Sequence, residues 1–593
     1  MGTTVSRITG LLGGWPAKPW PTVVLGWLKQ AGARHRAACA YAWIDEQLRE
    51  DADLHRADFL ARAAREASPA SRSWRGEPRV PPCSGSQEPP MQYQPAQTTV
   101  RALLGRGADA AVAIAAPQRA ALTHGGLLGL ADRTATTLTK LGIGRGDRVA
   151  LVVPNGPEAA TSFVCIATTA ATAPLNPGYR AEEFDFYLGD LRARALVLPQ
   201  GFDTPARAVA AGRNIPVIDL VAANAAGDFS LHAAGPIGGA SAAPDDVALV
   251  LHTSGTTSRP KVVPLTQQNV CASAAHIGAA LALTPDDCCL NIMPLFHIHG
   301  LIAAVLSSLA AGASVFCTPG FNAFRFFAWF TEAQPTWVTA VPTMHQAVLP
   351  YAERNRDTIA AGRVRLLRSS SASLPPQVMM ALEAAFGVPV IESYGMTEAA
   401  HQMTSNPLPP KKRFPGSVGV AAGPKVAIMD EAGALLPAGS EGEVVISGPN
   451  VTAGYEANPE ANAKAFTNGW FRTGDQGFLD ADGYLRLSGR LKEIINRGGE
   501  KVAPLEVDAV LMDHPSVAQC VTFAMPHEKL GEDVAAAVVL REGFAGDERS
   551  LRDFAGERLA AFKVPRRIVF VAEIPKGATG KLQRIGLAAR LGL

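Results

Sequence analysis

With 593 residues the chain is too long for one compact core, so two or more domains are expected. Hydrophobic residues at 47% against 18% charged exclude a disordered chain. A formal net charge of +2 without runs of lysine or arginine excludes a phosphate-backbone partner, so no nucleic-acid role is expected.

In chain order, residues 1–90 stand apart. "YAWIDEQLREDADLHRADFLARAAREA" reads as one charged helix and "SPASRSWRGEPRVPPCSGSQEPP" as linker or disorder. We read 1–90 as an N-terminal extension, with the working chain starting at Met91; an accessory helix that docks on a partner is the alternative. From Gln97 onward strands and helices alternate. "DRVALVVPN" predicts a strand, "PEAATSFVCIATTAATA" a helix, "ALVLP" and "VALVLHTSG" strands, and "QQNVCASAAHIGAALAL" a helix. "CCLNIMPLF", the helix "LIAAVLSSLAAG", "SVFCT", "WVTAVP", "VRLLRSS" and "VPVIESYG" continue the pattern, which predicts α/β layers on largely parallel sheets. Between Pro415 and Arg490 short strands and glycine turns predict a β-rich subdomain, and the tail forms its own small α/β unit. The fold class is therefore α/β, with a large multilayer N-terminal domain (91–490) carrying a β-rich subdomain and a small, mobile C-terminal domain (491–593). "GIGRGD" near Gly142 follows a helix and precedes a strand, the wrong order for a dinucleotide fingerprint, and reads as a turn. The eight cysteines show no CxxC spacing and no apolar run reaches membrane-span length, so a cytoplasmic protein is expected.

The strand "VALVLHTSG" runs into Ser254, Gly255, Thr256, Thr257, Ser258 and Arg259 before Pro260-Lys261. A glycine-bearing loop of hydroxyl residues presents N–H and O–H donors, and the lysine adds a point charge; together they suit a polyphosphate. It is not a Walker A loop, because Pro260 precedes the lysine and Val262 follows it. Four further motifs come in order: "SYGMTE" (Ser393 to Glu398), "WFRTGD" (Trp470 to Asp475), "GRLKEIINRGGEK" (Gly489 to Lys501) and "PKGATGKLQR" (Pro575 to Arg584). From Met91 to Leu593 this set resembles the adenylate-forming superfamily of acyl-CoA synthetases, luciferases and peptide-synthetase adenylation domains. "RSSSASLPP", "GMTEAAHQMTSNPLPP" and "FPGSVG" are similar to its oxalate-activating branch.

The resemblance implies an AMP-forming ligase that uses ATP, Mg2+ and coenzyme A on a small carboxylic acid, most simply oxalate. Malonate, a cinnamate, or a non-catalytic nucleotide-binding relative are the alternatives. It places Thr253, Ser254, Gly255, Thr256, Thr257 and Lys261 at the β- and γ-phosphates, Thr397 at the α-phosphate and Glu398 at Mg2+. Tyr394 and the Ser371-Ala372-Ser373 backbone would flank adenine, with Asp475 and Arg490 at the ribose. Lys581 would bridge the substrate carboxylate and the α-phosphate. Lys492 would be the hinge, with Gly498 and Gly499 in the loop facing coenzyme A. His401 and Ser371 are expected to read the second carboxylate, and His297 to gate the first half-reaction; His299 is read as structural. Relatives usually carry glycine where Val262 stands, so its Cβ is expected to slow the phosphate loop.

Overall fold

The computed structural model describes residues 99–232, 242–253, 260–576 and 582–593; the extension read over 1–90 lies outside the described residues. Two sheets carry the large N-terminal part. The first runs in the order Phe229–His232, Val217–Ala222, Ala195–Pro199, Arg148–Leu151, Ala171–Pro174, Val247–His252 and Val262–Thr266. Its inner strands are parallel and its two edge strands antiparallel. The second has nine strands, including His401–Ser405, Val390–Met396, Leu366–Ser369, Trp337–Ala340 and Cys288–Asn291 as neighbours in that order. Helix Pro157–Ala167 is buried almost all round and shares one apolar cluster with Val149 and Leu151 of the first sheet and Ile114, Val315 and Trp337 of the second. A helix without a polar face belongs between layers, which is where this one lies.

The segment read as one helix, "PEAATSFVCIATTAATA", divides. The helix stops at Ala167, and Ala171–Pro174 is a strand buried along its whole length. A parallel strand covered on both faces shows no alternation, so its small apolar residues read as more helix. "LIAAVLSSLAAG" is helical but begins earlier, as a π-helix at His299–Leu306 that passes into an α-helical turn, Ser307–Ala310. Such wide turns concentrate near functional sites.

The β-rich part joins Lys425–Met429, Gly442–Ser447, Phe466–Thr467, Trp470–Leu479 and Leu485–Arg490 in one sheet. After Arg490 a short turn leads into the small C-terminal sheet of Ile495–Arg497, Glu500–Val502, Val517–His527, Gly531–Leu540 and Arg567–Phe570. Its helices Pro504–Met512 and Glu548–Gly556 bury Val507, Leu511, Leu551 and Ala555 in a cluster with Ile495, Val534 and Ile568. The fold is thus a large mixed α/β part followed by a small α/β unit. Among the described residues no helix is long and apolar enough to cross a membrane.

Candidate active site

The loop of the opening motif joins strands Val247–His252 and Val262–Thr266. Its neck is closed twice: the Thr253 N–H donates to the Lys261 carbonyl at 3.0 Å, and the Lys261 N–H to Thr253 Oγ1 at 3.1 Å. Ser254, Gly255, Thr256 and Thr257 lie outside the described residues, as does Lys581. Lys261 extends its Nζ over the Tyr455 ring, 4.1 Å from the centroid, and Tyr455 donates its hydroxyl to Glu398 Oε1 at 2.9 Å. An aromatic face holds an ammonium without neutralising it, which leaves the cation able to meet a phosphate. Burial pulls the Lys261 pKa down, the Glu398 charge pulls it back up, and Lys492 presses it down again. Lys492 is therefore near enough for its charge to be felt at this loop.

Val262 itself is unstrained. It is an ordinary strand residue paired with His252, its φ is not positive, and its side chain packs with Ala150, Val152 and Val250. The expected slowing therefore has no steric cause at Val262 itself; the Cβ faces apolar packing. Val262→Gly is expected to lower stability by about 2–3 kcal/mol, from lost apolar burial and added backbone entropy. Urea denaturation checks the loss, and a gain in ATP affinity is not expected.

The strand Val390–Met396 delivers Tyr394, turns through Thr397–Ala399 in a single 3₁₀ turn, and returns as His401–Ser405. The hairpin is tight: Ala400 has φ 46° and His401 φ 101°, conformations that cost a side-chain-bearing residue energy and are held only by surrounding structure. Gly395 lies against the His401 carbonyl, where a Cβ would come within 1.6 Å of the oxygen. Thr397, Glu398 and His401 are thereby presented together at one end of the strand. Glu398 is 6% exposed, and burial raises its pKa above the usual glutamate range although Tyr455 and Lys261 oppose the shift.

Tyr394 donates its hydroxyl to Asp475, so these two expected nucleotide residues form one unit. Asp475 also faces Arg490 across paired strands, with Arg490 Nε 3.4 Å from Oδ1. The Asp475 N–H donates to Thr473 Oγ1 at 3.1 Å, which fixes the turn that carries the carboxylate. Ser371 takes φ 74° at the end of strand Leu366–Ser369, and Ala372 and Ser373 behind it are exposed. Gly498 and Gly499, φ 61° and 104°, form the tip of the hairpin between Ile495–Arg497 and Glu500–Val502, the left-handed turn glycine takes without penalty. Arg497 ties the tip to buried Asp533 at 2.7 Å.

A second group of side chains gathers beside the Glu398 hairpin. His299 is fully buried, with Nδ1 3.0 Å from Ser371 Oγ and Nε2 2.7 Å from Thr339 Oγ1. The His401 ring lies 4.9 Å from the His299 ring. Arg368, fully buried on strand Leu366–Ser369, donates to Gln402 Oε1 at 3.3 Å. His297 is only half-buried and accepts the His299 N–H on Nδ1 at 3.3 Å. The structure thus joins Ser371 and His401 through His299, the residue read as structural. Arg368, Gln402, Thr339 and Tyr455 were not anticipated. An arginine inside an apolar strand, "VRLLRSS", was the available signal for Arg368.

Glu398 offers a buried hard-oxygen ligand with one oxygen held by Tyr455, beside a lysine and near Arg490. That set suits Mg2+ delivered with the phosphates of ATP, since Mg2+ keeps several waters and needs one or two protein carboxylates.

Comparison with known proteins gives the family. Residues 102–456 match the AMP-binding enzyme family and residues 506–581 the AMP-binding enzyme C-terminal domain. The chain is 47% identical over 474 residues to an oxalate–CoA ligase of Arabidopsis thaliana, covering 78% of this chain and 92% of that one. It is 40% identical over 470 residues to an oxalate–CoA ligase of Saccharomyces cerevisiae, covering 74% and 86%. The crystal structure of ATP-bound MatB from Rhodopseudomonas palustris superposes with a TM-score of 0.76 at 30% identity, covering 83% of this chain and 99% of that one.

Proposed function

Because the chain belongs to the AMP-binding enzyme family and is an ATP-dependent, AMP-forming acid–CoA ligase, we propose that the acid it activates is oxalate. The observation that carries this reading is the polar group of buried His299, His401 and Arg368 with half-buried Ser371. A fatty acid needs a long apolar tunnel, whereas a second carboxylate needs donors that are themselves held in place. The two oxalate–CoA ligases of Arabidopsis and Saccharomyces support the same choice.

The first half-reaction joins the carboxylate to the α-phosphorus of ATP and releases diphosphate. The nucleophile is already ionised at neutral pH, so no general base is required, and the task is positioning and charge stabilisation. In our reading Lys261 and the Thr253–Thr257 loop hold the β- and γ-phosphates, and Thr397 contacts the α-phosphate. The Tyr394–Asp475–Arg490 unit binds the nucleoside, with Asp475 accepting from the ribose hydroxyls. Glu398 would hold Mg2+, which supplies charge neutralisation on the phosphates. Lys581 would offset the two anions brought together at attack. Residues 491–593 would then turn about Lys492, withdrawing Lys581 and bringing the Gly498–Gly499 loop to the coenzyme A side, where the thiol displaces AMP. His297, at the half-buried edge of the acid pocket, would gate the first step.

The test follows acyl-CoA and AMP formation by the purified chain with MgATP and coenzyme A. Oxalate is set beside malonate, acetate, octanoate and coumarate. Oxalate-selective turnover is expected, and Ser371→Ala is expected to raise the oxalate KM by roughly tenfold while leaving the ATP KM in place. Preference for malonate or coumarate would keep the ligase chemistry and discard the oxalate pocket.

A further inference from the structure

Arg368 is a cation with no carboxylate at ion-pair distance among the described residues, although it is fully buried. Burial lowers its pKa only to about 9, which leaves it charged at neutral pH. Among the described residues its Nε has no hydrogen-bond partner. One terminal nitrogen is 3.4 Å from Thr339 Oγ1 and 3.5 Å from His299 Nε2; the other donates to Gln402 Oε1. Gln402 donates its amide N–H to the Ala422 carbonyl at 3.2 Å, which fixes its oxygen toward the guanidinium. A buried charge left uncompensated is costly and is retained where something else supplies the counter-charge.

The geometry also selects a histidine tautomer. A guanidinium donates and never accepts, so Thr339 Oγ1 receives from Arg368 and turns its own hydrogen to His299 Nε2, 2.7 Å away. A hydrogen on Nε2 would instead point at the cation. The imidazole hydrogen therefore sits on Nδ1 and is donated to Ser371 Oγ at 3.0 Å. Ser371, having accepted, directs its own hydroxyl hydrogen onward.

We propose that Arg368 is a positioning residue of the acid pocket: it holds His299 as the neutral Nδ1–H tautomer, so that Ser371 donates its hydroxyl to the distal carboxylate of a dianionic acid. The substrate's second carboxylate then brings the negative charge that the chain itself withholds from Arg368. A monoacid brings none, so this arrangement discriminates by charge rather than by length alone. The inference rests on the oxalate reading for its substrate, and on the structure alone for the tautomer.

The test uses the full chain labelled with ¹⁵N-histidine, reading side-chain tautomers by long-range ¹H–¹⁵N correlation, with His299 identified by its loss in His299→Gln. Wild type and Arg368→Lys are expected to show the Nδ1–H form, and Arg368→Met to lose it. In parallel, Arg368→Met is expected to raise the oxalate KM roughly 10–100-fold, with Lys restoring most of it and the ATP KM moving less than about twofold. Arg368→Gln, neutral and shorter, carries the same test where Arg368→Met does not fold. A folded neutral variant that keeps both the tautomer and the oxalate KM overturns the proposal, as does an equal rise in the KM for ATP. Wild type that ignores oxalate but turns over another acid overturns the oxalate reading alone, because the tautomer is read without substrate.

Discussion

Glu398→Gln is expected to lower the rate of adenylate formation by about 100-fold or more, while leaving the protein at least as stable at neutral pH. The loss follows from removing a buried carboxylate whose charge is felt by both Lys261 and Arg490, which in the proposed mechanism is a hard ligand for the metal that accompanies ATP and a fixed charge at the phosphates. The stability half follows from linkage. Burial raises the folded-state pKa of Glu398 above its unfolded value. In the native chain, then, stability falls as pH rises from the ordinary glutamate range through the folded pKa, because the unfolded state releases the proton first. Gln carries no such cost and still accepts the Tyr455 hydroxyl. Oxalate-dependent diphosphate release measures the first effect, and thermal unfolding across pH 4 to 8 (a window on the order of the usual carboxylate and histidine ranges) measures the second. A variant that is inactive because it is unfolded at pH 7 would contradict this account.

Gly395→Ala is expected to be severely damaging for a single added methyl. The added Cβ would lie 1.6 Å from the His401 carbonyl oxygen and 2.5 Å from its carbon, and both are backbone atoms that cannot rotate away. The hairpin must open, and the opening displaces Tyr394 on one side and Glu398 and His401 on the other. Destabilisation of about 3 kcal/mol or more is expected, with ATP binding and acid activation lost together. Gly212→Ala provides the contrast. It ends helix Pro205–Gly212, its Cβ would meet nothing, and it is expected to be neutral or slightly stabilising. Urea denaturation of the pair, with nucleotide titration of each folded variant, checks both expectations; equal stabilities would refute the close-approach argument.

The proposed nucleotide site could be read from the sequence because motif chemistry is local. Thr253 to Lys261, Tyr394 to Glu398 and Trp470 to Asp475 each carry donors, acceptors or charges within a few consecutive residues, and the fold joins Tyr394 to Asp475 and links Lys261 to Glu398 through Tyr455. The alternation of strand-like and helix-like segments likewise set the α/β class and the small C-terminal unit, because periodicity is a property of neighbours along the chain. Ala171–Pro174 escaped for the same reason: buried on both faces, it has no period to read.

The proposed acid pocket was decided only in three dimensions. Thr339, Arg368 and His401 lie on separate strands of the nine-stranded sheet and His299 on the π-helical turn, so strand order, not spacing in sequence, brings them together. Likewise, the sequence suggested that Val262 slows the phosphate loop, whereas pairing with His252 makes that position an ordinary strand residue; positive φ falls instead at residues such as Ser371, Ala400 and His401. Local chemistry determined that this chain binds and cleaves ATP to activate an acid. Tertiary packing decided which buried groups gather beside the Glu398 hairpin, because a charge such as Arg368 acquires its meaning from neighbours tens of residues away.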